Sequence, residues 1–339
     1  MSPDDLPRLD EHADLSQTNR NPAEAAHEDG HGRSTTRPSD IPARGWMDIL
    51  WRVYQGISDD RILMNAAGVT FYALLALFPA IAAIVSIYGL FADPTQISQQ
   101  MNQFEGVVPG GGMSIIRDQL TRIASKGGGS LTAGFLIGLL VSLWSANGGI
   151  KGLFDALNVV YGETEKRSFL KLNAISLAVT LGTIAFLVVA MVCVIAIPAL
   201  LDYFPGFIRA VVNYARWPLI LVLVAVVLAV IYRFGPSRDE PQWRWLSWGS
   251  VAAALLWLAV SGLFSWYAAN FGTFDKTYGS LGAIIGFMLW IWLSTIVILL
   301  GGKLNAEIEH QTARDTTVGE PKPLGGRGAR MADTVGHSS

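Results

Sequence analysis

Charge is what this chain has least of. Asp, Glu, Lys and Arg make up 15% of its 339 residues, while 51% are apolar, and the mean hydropathy is +0.37. A soluble domain carries roughly 25% charged residues. Cysteine is nearly absent too. Cys193 stands alone inside an apolar run, which excludes an internal disulfide and a Cys-based zinc site. The five histidines, His12, His27, His31, His310 and His337, all lie outside the apolar runs. There is no H-x-x-x-H, no G-x-x-x-x-G-K-[ST] and no G-x-S-x-G. Gly110–Gly112 lack the lysine a phosphate loop needs, and no two carboxylates share an apolar run. Metal-assisted hydrolysis, ATP-driven transport within this chain and Ser–His hydrolysis therefore lack their parts. No cofactor is implied. An isoelectric point near 6.2 gives no basic signature for nucleic acid.

The charges that exist are unevenly placed. Residues 1–43 hold nine acidic and four basic side chains. They are rich in Pro, Ser and His, and they offer too little apolar surface to offset the entropy of ordering. This reads as a disordered, acidic tail. It is not a signal peptide, because no apolar stretch follows a basic start. Residues 312–339 read as a second disordered tail, with Gly, Pro, Thr and Arg and no periodicity.

Between the tails are six apolar stretches of the length that crosses a bilayer, about 20 residues. They are Leu63–Phe91, Leu131–Gly149, Leu172–Leu201, Trp217–Phe234, Trp245–Phe271 and Gly279–Gly302, and none has a charge in its middle. The expected fold is all-α: a polytopic membrane bundle of six transmembrane helices with amphipathic interfacial helices. Lys and Arg near the span ends fall twelve on one side and six on the other. By the positive-inside bias this puts both termini in the cytoplasm.

Two segments read as lying along the membrane. In Trp46–Ile62, Trp46, Ile49, Leu50, Val53 and Ile57 recur at helical spacing, with Asp48, Arg52, Gln55 and Asp59 between them. Gln96–Lys126 has a similar pattern broken at Val108–Gly112, and reads as a helical hairpin capping the outer side.

Polar groups near the spans are the candidate functional residues, because hydrocarbon makes them expensive. Asn65, Gly68, Tyr72, Ala76 and Pro79 share one face of the first span. They form either a packing face with a kink at Pro79 or a pathway wall. Asn147, Lys151, Asp155 and Asn158 share a face if the second helix continues past Gly148–Gly149, with Lys151 and Asp155 paired at i,i+4. Lys303 and Glu307 repeat that spacing after the sixth span. On the far side, the short link Gly272–Tyr278 carries Asp275 and Lys276 and makes the last two spans a hairpin. Gly134 and Gly138, and Gly282 and Gly286, form G-x-x-x-G pairs that permit close helix approach. The polar sets either line a pathway or fix helix register as ion pairs.

Several stretches resemble a known family. They are Ala66–Pro79, Leu143–Asn147, Leu157–Gly162, Arg167–Lys171, Pro236–Arg238, Tyr278–Ala283 and Leu299–Glu309, the last being the most specific. Together they are similar to the six-span YihY/BrkB inner-membrane proteins, over about Trp46 to Glu309. Gly148–Gly149 departs from that pattern, where the family often carries bulkier or basic residues. The resemblance implies a bacterial inner-membrane protein, from a family once labelled a tRNA-processing ribonuclease and for which movement of lipids or solutes has been put forward. It supplies no catalytic residues to carry over.

Three functions remain open. The first is a transporter or flippase-like protein acting on a lipid or small solute. The second is a non-transporting envelope scaffold, and the third a ribonuclease, which the missing acid–base and metal groups disfavour. The partners implied are the bilayer and a lipid or solute, with no nucleic acid; the oligomeric state stays open. An alkaline phosphatase fused to the C-terminus is expected to be inactive, and an active fusion would reverse the orientation.

Overall fold

The computed structural model describes residues 30–91, 128–191, 205–271 and 282–338. The expected outer hairpin, together with Asp275 and Lys276, lies outside the described residues. Among them the chain is helical, without a strand, and its helices are α1 (Ala43–Asp59), α2 (Ile62–Phe91), α3 (Gly128–Val160), α4 (Phe169–Met191), α5 (Gly206–Phe234), α6 (Trp243–Phe271), α7 (Gly282–His310) and α8 (Arg330–Asp333).

Five helices carry segments long and apolar enough to cross a membrane: Leu136–Val160, Phe169–Phe186, Trp217–Phe234, Trp243–Ala268 and Ile284–His310. α2 is a further helix of 30 residues, with the apolar stretch Ile62–Ala76. It is helical through Pro79. The chain is thus an all-α, multi-pass membrane protein.

Consecutive helices pack side by side from α2 to α7, and α7 closes the ring against α2. α7 also touches α1, α3 and α8, which makes it the central helix. Both described ends of the chain meet at one face, where Ala313 N–H donates to the Arg33 carbonyl at 2.8 Å. We call this the terminal face.

The buried core sits toward that face. Phe154, Leu157, Tyr161, Tyr232, Trp245, Leu246 and Leu299 are fully buried. Farther along the same helices, Leu140, Trp144, Tyr214 and Leu263 are exposed, as side chains in contact with lipid tails would be. Polar groups tie the helices together inside the apolar packing. Tyr232 Oη donates to the Ile298 carbonyl at 2.8 Å, Trp257 Nε1 to Ser294 Oγ at 3.0 Å, and Trp292 Nε1 to the Leu63 carbonyl at 3.1 Å. Such bonds average roughly 0.6 kcal/mol within membranes.

Glycine sets the closest helix contact. A Cβ built on Gly301 of α7 overlaps Tyr232 Oη and Ala253 Cβ, and one on Gly249 of α6 overlaps Asn305 Oδ1 and the Gly301 carbonyl. The G-x-x-x-G pairs expected to do this work differ. Gly282 is buried and Gly138 half-buried, but Gly286 meets no atom within 4 Å. Gly134 is helical, and its surroundings lie outside the described side chains.

Several boundaries move. The second span does not stop at Gly149, because α3 continues to Val160. It ends where Gly162 takes φ +65° and Glu163 N–H donates to the Asn158 carbonyl at 2.7 Å, the six-to-one closure of a glycine-terminated helix. α5 begins at Gly206, eleven residues ahead of the apolar stretch.

The largest correction concerns the tails. Residues 30–42 and 312–338 were expected to be disordered, yet they pack on the terminal face. Arg33, Thr312, Thr316, Thr317, Arg327, Met331 and Ala332 are buried. The reason is polar rather than apolar. The Arg327 guanidinium donates to the carbonyls of Ala313, Arg314, Lys322 and Ala332, closing the segment around one cation.

Gly301→Ala is expected to destabilise the purified protein by about 1–3 kcal/mol through overpacking, read as a lower melting temperature in detergent. Gly286→Ala, in open space, is expected to leave it unchanged or slightly raised.

Candidate functional site

α1 explains how the site is built. Its buried positions are Gly45, Asp48, Ile49, Arg52 and Gly56, one face at helical spacing. Met47, Leu50, Trp51 and Tyr54 on the other face are 49–67% exposed. The helix therefore lays its charged and small residues against the protein and its aromatic residues outward, as an interfacial helix with lipid on one side does.

That orientation delivers Arg52 to the last turns of α7. Arg52 Nε donates to Glu307 Oε2 at 2.6 Å, and both side chains are only 4% exposed. Arg52 Nη2 donates to Gln311 Oε1 at 2.6 Å, and Nη1 to the His337 carbonyl at 2.8 Å. On the other side of Glu307, Lys303 Nζ lies 3.1 Å from Oε1 and 2.8 Å from Asp60 Oδ2. Burial pushes the Asp60 carboxyl above the usual carboxylate range, and Lys303 works against that shift. Gln311 continues the chain, donating to the His31 carbonyl at 2.8 Å, while His31 Nδ1 sits 2.6 Å from Asp48 Oδ2. A Cβ on Gly56 would overlap Lys303 Cε, so glycine at this position is what lets the lysine lie against α1.

A second buried pair stands beside the first. Arg238 Nη2 meets both oxygens of Glu309 at 2.8 and 2.9 Å, and neither side chain is exposed to solvent. The Arg238 guanidinium also lies 4.8 Å from the Tyr161 ring centre, and Thr316 Oγ1 donates to Glu309 at 2.9 Å. Burial pushes the Tyr161 hydroxyl well above its ordinary range. At the edge, Glu165 accepts from Arg167 at 2.6 Å, and that bonding brings its carboxyl down from 4.5 to about 2. Arg167 in turn donates to the Phe234 and Gly235 carbonyls at the end of α5.

The residues singled out from the sequence fall into three groups. Lys303 and Glu307 are in the network, with Asp60 between the first and α1. Asn65 and Asn158 are structural ties. Asn65 Nδ2 donates to the Asp60 carbonyl at 2.8 Å, bracing the link where Arg61 adopts φ 49°. Asn158 accepts from Ser237 N–H at 2.7 Å and donates to Glu165 at 3.2 Å. The rest sit elsewhere. Tyr72 packs on the glycines of α3, 3.5–3.8 Å from the Cβ positions of Gly148, Gly149 and Gly152. Asn147 Oδ1 is buried without a hydrogen-bond partner among the described residues. The expected Lys151–Asp155 pair is not made. Lys151 Nζ reaches across to Asn173 Oδ1 on α4 at 2.5 Å, and Asp155 is exposed.

Sequence reasoning missed the roles of Arg52, Asp60, Arg238 and Gln311, while Glu309 stood beside the Lys303–Glu307 pair without its partner. Arg52 and Glu307 are 255 residues apart, beyond the reach of any local spacing rule. The one signal was the run of buried-side small and polar residues along α1.

A second feature lies outside the network. Between α4 and α5 runs a cleft of about 430 Å³, walled by Ala178, Gly182, Thr183, Val226, Val230 and Phe234 among others. Its one hydroxyl, on Thr183, donates to the Val179 carbonyl of its own helix at 2.9 Å. No charged side chain lines it.

The network yields a stability test. Arg52→Met leaves Glu307 buried with half its counter-charge gone, and removing one partner of a buried pair typically costs about 3–5 kcal/mol. Arg52→Met with Glu307→Leu is expected to recover much of that loss. Chemical denaturation of the purified protein measures both.

Comparison with known proteins agrees with this architecture. The chain is 28% identical over 248 residues to YfkH of Bacillus subtilis (strain 168), described as ribonuclease-like, covering 71% of this chain and 88% of that one. It is 25% identical over 268 residues to the UPF0761 membrane protein Mpe_A1422 of Methylibium petroleiphilum, covering 77% of this chain and 62% of that longer one. It is 24% identical over 264 residues to the UPF0761 membrane protein IL2447 of Idiomarina loihiensis, covering 76% and 89%. No solved structure matches the chain. The profile described as Virulence factor BrkB matches residues 53–324, a stretch that takes in the bundle and the α7 side of the buried charge network but begins one residue after Arg52, and the chain belongs to that family.

Proposed function

We propose that the chain moves an amphiphilic lipid across a bacterial inner membrane, with the terminal face on the cytoplasmic side. The observation that carries this reading is the cleft between α4 and α5. Its volume of about 430 Å³ is within the range of small-ligand sites, about 300–1,000 Å³. Its lining is aliphatic and its single hydroxyl is already bonded. A hydrated ion or sugar finds nothing there to replace water, whereas an acyl chain loses nothing by entering.

The charges at the terminal face support the same substrate class. The buried ones, Arg52, Lys303, Glu307, Arg238 and Glu309, are paired with one another or with Asp60, so they hold the bundle together instead of offering a coordination site for a coupling ion. The described residues also hold no group of three His, Cys, Asp or Glu placed to share a metal, so nothing in the geometry favours extending the ribonuclease-like description of the Bacillus relative to this chain. The twofold excess of Lys and Arg on the terminal side favours a cytoplasmic placement of that face.

The test is reconstitution in liposomes with a fluorescent phospholipid and a membrane-impermeant quencher. The protein is expected to expose inner-leaflet lipid faster than empty liposomes do. Gly182→Trp and Ala178→Trp, which fill the cleft, are expected to slow the exchange about tenfold, equivalent to ~1.4 kcal/mol on the barrier. Exchange no faster than in empty liposomes overturns the reading and leaves the scaffold. Exchange unaffected by both variants removes the cleft from it.

A further inference from the structure

A polar pocket on the terminal face stands apart from both the charge network and the α4–α5 cleft. It has a volume of about 220 Å³, and its lining includes Thr36, Gln242, Arg244, Arg314, Asp315 and Thr317. Three separate stretches of chain build it. Residues 316–318 run beside residues 240–242: Gln242 N–H donates to the Thr316 carbonyl at 2.9 Å, Val318 N–H to the Glu240 carbonyl at 2.9 Å, and Gln242 Nε2 to the Thr317 carbonyl at 2.8 Å. This short antiparallel pairing, centred on Pro241 and Thr317, fixes Arg244 and Arg314 on the walls of one hollow.

The electrostatics of the hollow are unbalanced. Arg244 and Arg314 are exposed, and neither guanidinium has an ion-pair partner among the described residues. The one carboxylate in the lining, Asp315, accepts from Thr317 N–H, Thr317 Oγ1 and Lys322 N–H at 2.7–2.9 Å and faces Arg327 at 3.9 Å. That bonding more than offsets its burial and lowers its pKa, so its single negative charge, itself faced by Arg327, leaves the two arginines an excess of positive charge. The pocket also adjoins the N-terminal end of the 29-residue helix α6, the positive end of its dipole.

We infer that Arg244 and Arg314 form a binding pocket for a phosphate group. Two arginines lining one hollow match the several oxygens of a phosphate, since each guanidinium can donate two hydrogen bonds. The position favours one source. Arg244 follows Trp243, which is 51% exposed at the start of the span Trp243–Ala268. Tryptophan in that setting marks headgroup depth, where the abundant anion is the phosphate of an anionic phospholipid. The pocket is distinct from the proposed lipid path and does not depend on it.

Two probes are applied to the purified full-length protein: phosphatidylglycerol against phosphatidylcholine, scored by lipid retained in native mass spectrometry, and inorganic phosphate, scored by melting temperature. Preferential retention of phosphatidylglycerol, reduced about tenfold in the variant Arg244→Gln/Arg314→Gln, supports a lipid headgroup in this pocket. A melting temperature raised by inorganic phosphate in the parent and not in the variant supports a soluble phosphate compound at the same arginines. Because neither arginine is paired, the variant is expected to melt at the parental temperature without ligand. Lys171→Gln, an exposed cation elsewhere, is the control and is expected to change neither readout. If the double variant binds both probes as the parent does, or the control weakens them equally, the pocket is overturned.

Discussion

A charge taken out of water beside a membrane must find its counter-charge inside the protein, and the terminal face of this bundle is organised by that requirement. α7 ends with Lys303, Glu307 and Glu309, all at most 7% exposed. Helical geometry cannot neutralise all three from within α7. Each takes a partner from another part of the chain: Asp60 from the α1–α2 link, Arg52 from α1, and Arg238 from the α5–α6 link. The pairing therefore dictates which face α1 turns inward and how the links around α7 are held. Unpaired, any one of these charges would cost several kcal/mol, so the arrangement is over-determined in spite of the modest worth of any single pair.

The same constraint accounts for the order of the C-terminal segment. Its composition offers little apolar surface, and a rule based on apolar content leaves it disordered. What fixes it is the hydrogen bonding of cations to backbone carbonyls, at Arg327 within the segment and at Arg52, which reaches the His337 carbonyl. Backbone carbonyls near a membrane surface need donors, and arginine has five in a fixed fork. Composition counts residues by type and so is blind to one arginine serving four carbonyls.

What was legible in the sequence was local. Apolar length gave the helices, and the span Trp217–Phe234 was placed at the same residues in both readings. The i,i+4 spacing of Lys303 and Glu307 gave a contact that exists. The same spacing gave Lys151 and Asp155 a contact that does not, because Asn173 on α4 competes successfully for the lysine. Close helix approach was sought in G-x-x-x-G, yet it occurs at Gly249 and Gly301, which lie on different helices. A motif within one helix describes half of an interface, and the other half is set by the fold. Arg52 was visible only as a charge between apolar residues, since its partner is 255 positions away.

The packing also divides the bundle into a held part and a looser one. α7 touches α1, α2, α3, α6 and α8, and the buried ion pairs of Lys303, Glu307 and Glu309 fasten it to α1 and to the links before α2 and α6. α4 packs chiefly on its chain neighbours α3 and α5, and along α5 it leaves the apolar cleft. Its polar tie to α3 is the bond from Lys151 to Asn173 near its start. Elements with few cross-links open at the lowest free energy, so the seam between α4 and α5 separates with least disturbance to the rest. A path for an acyl chain needs such a seam, because the chain must enter from the side and leave again. In the proposed lipid path the two are complementary: the terminal network keeps its charges paired, and the sparsely tied α4 borders the seam that an acyl chain would use.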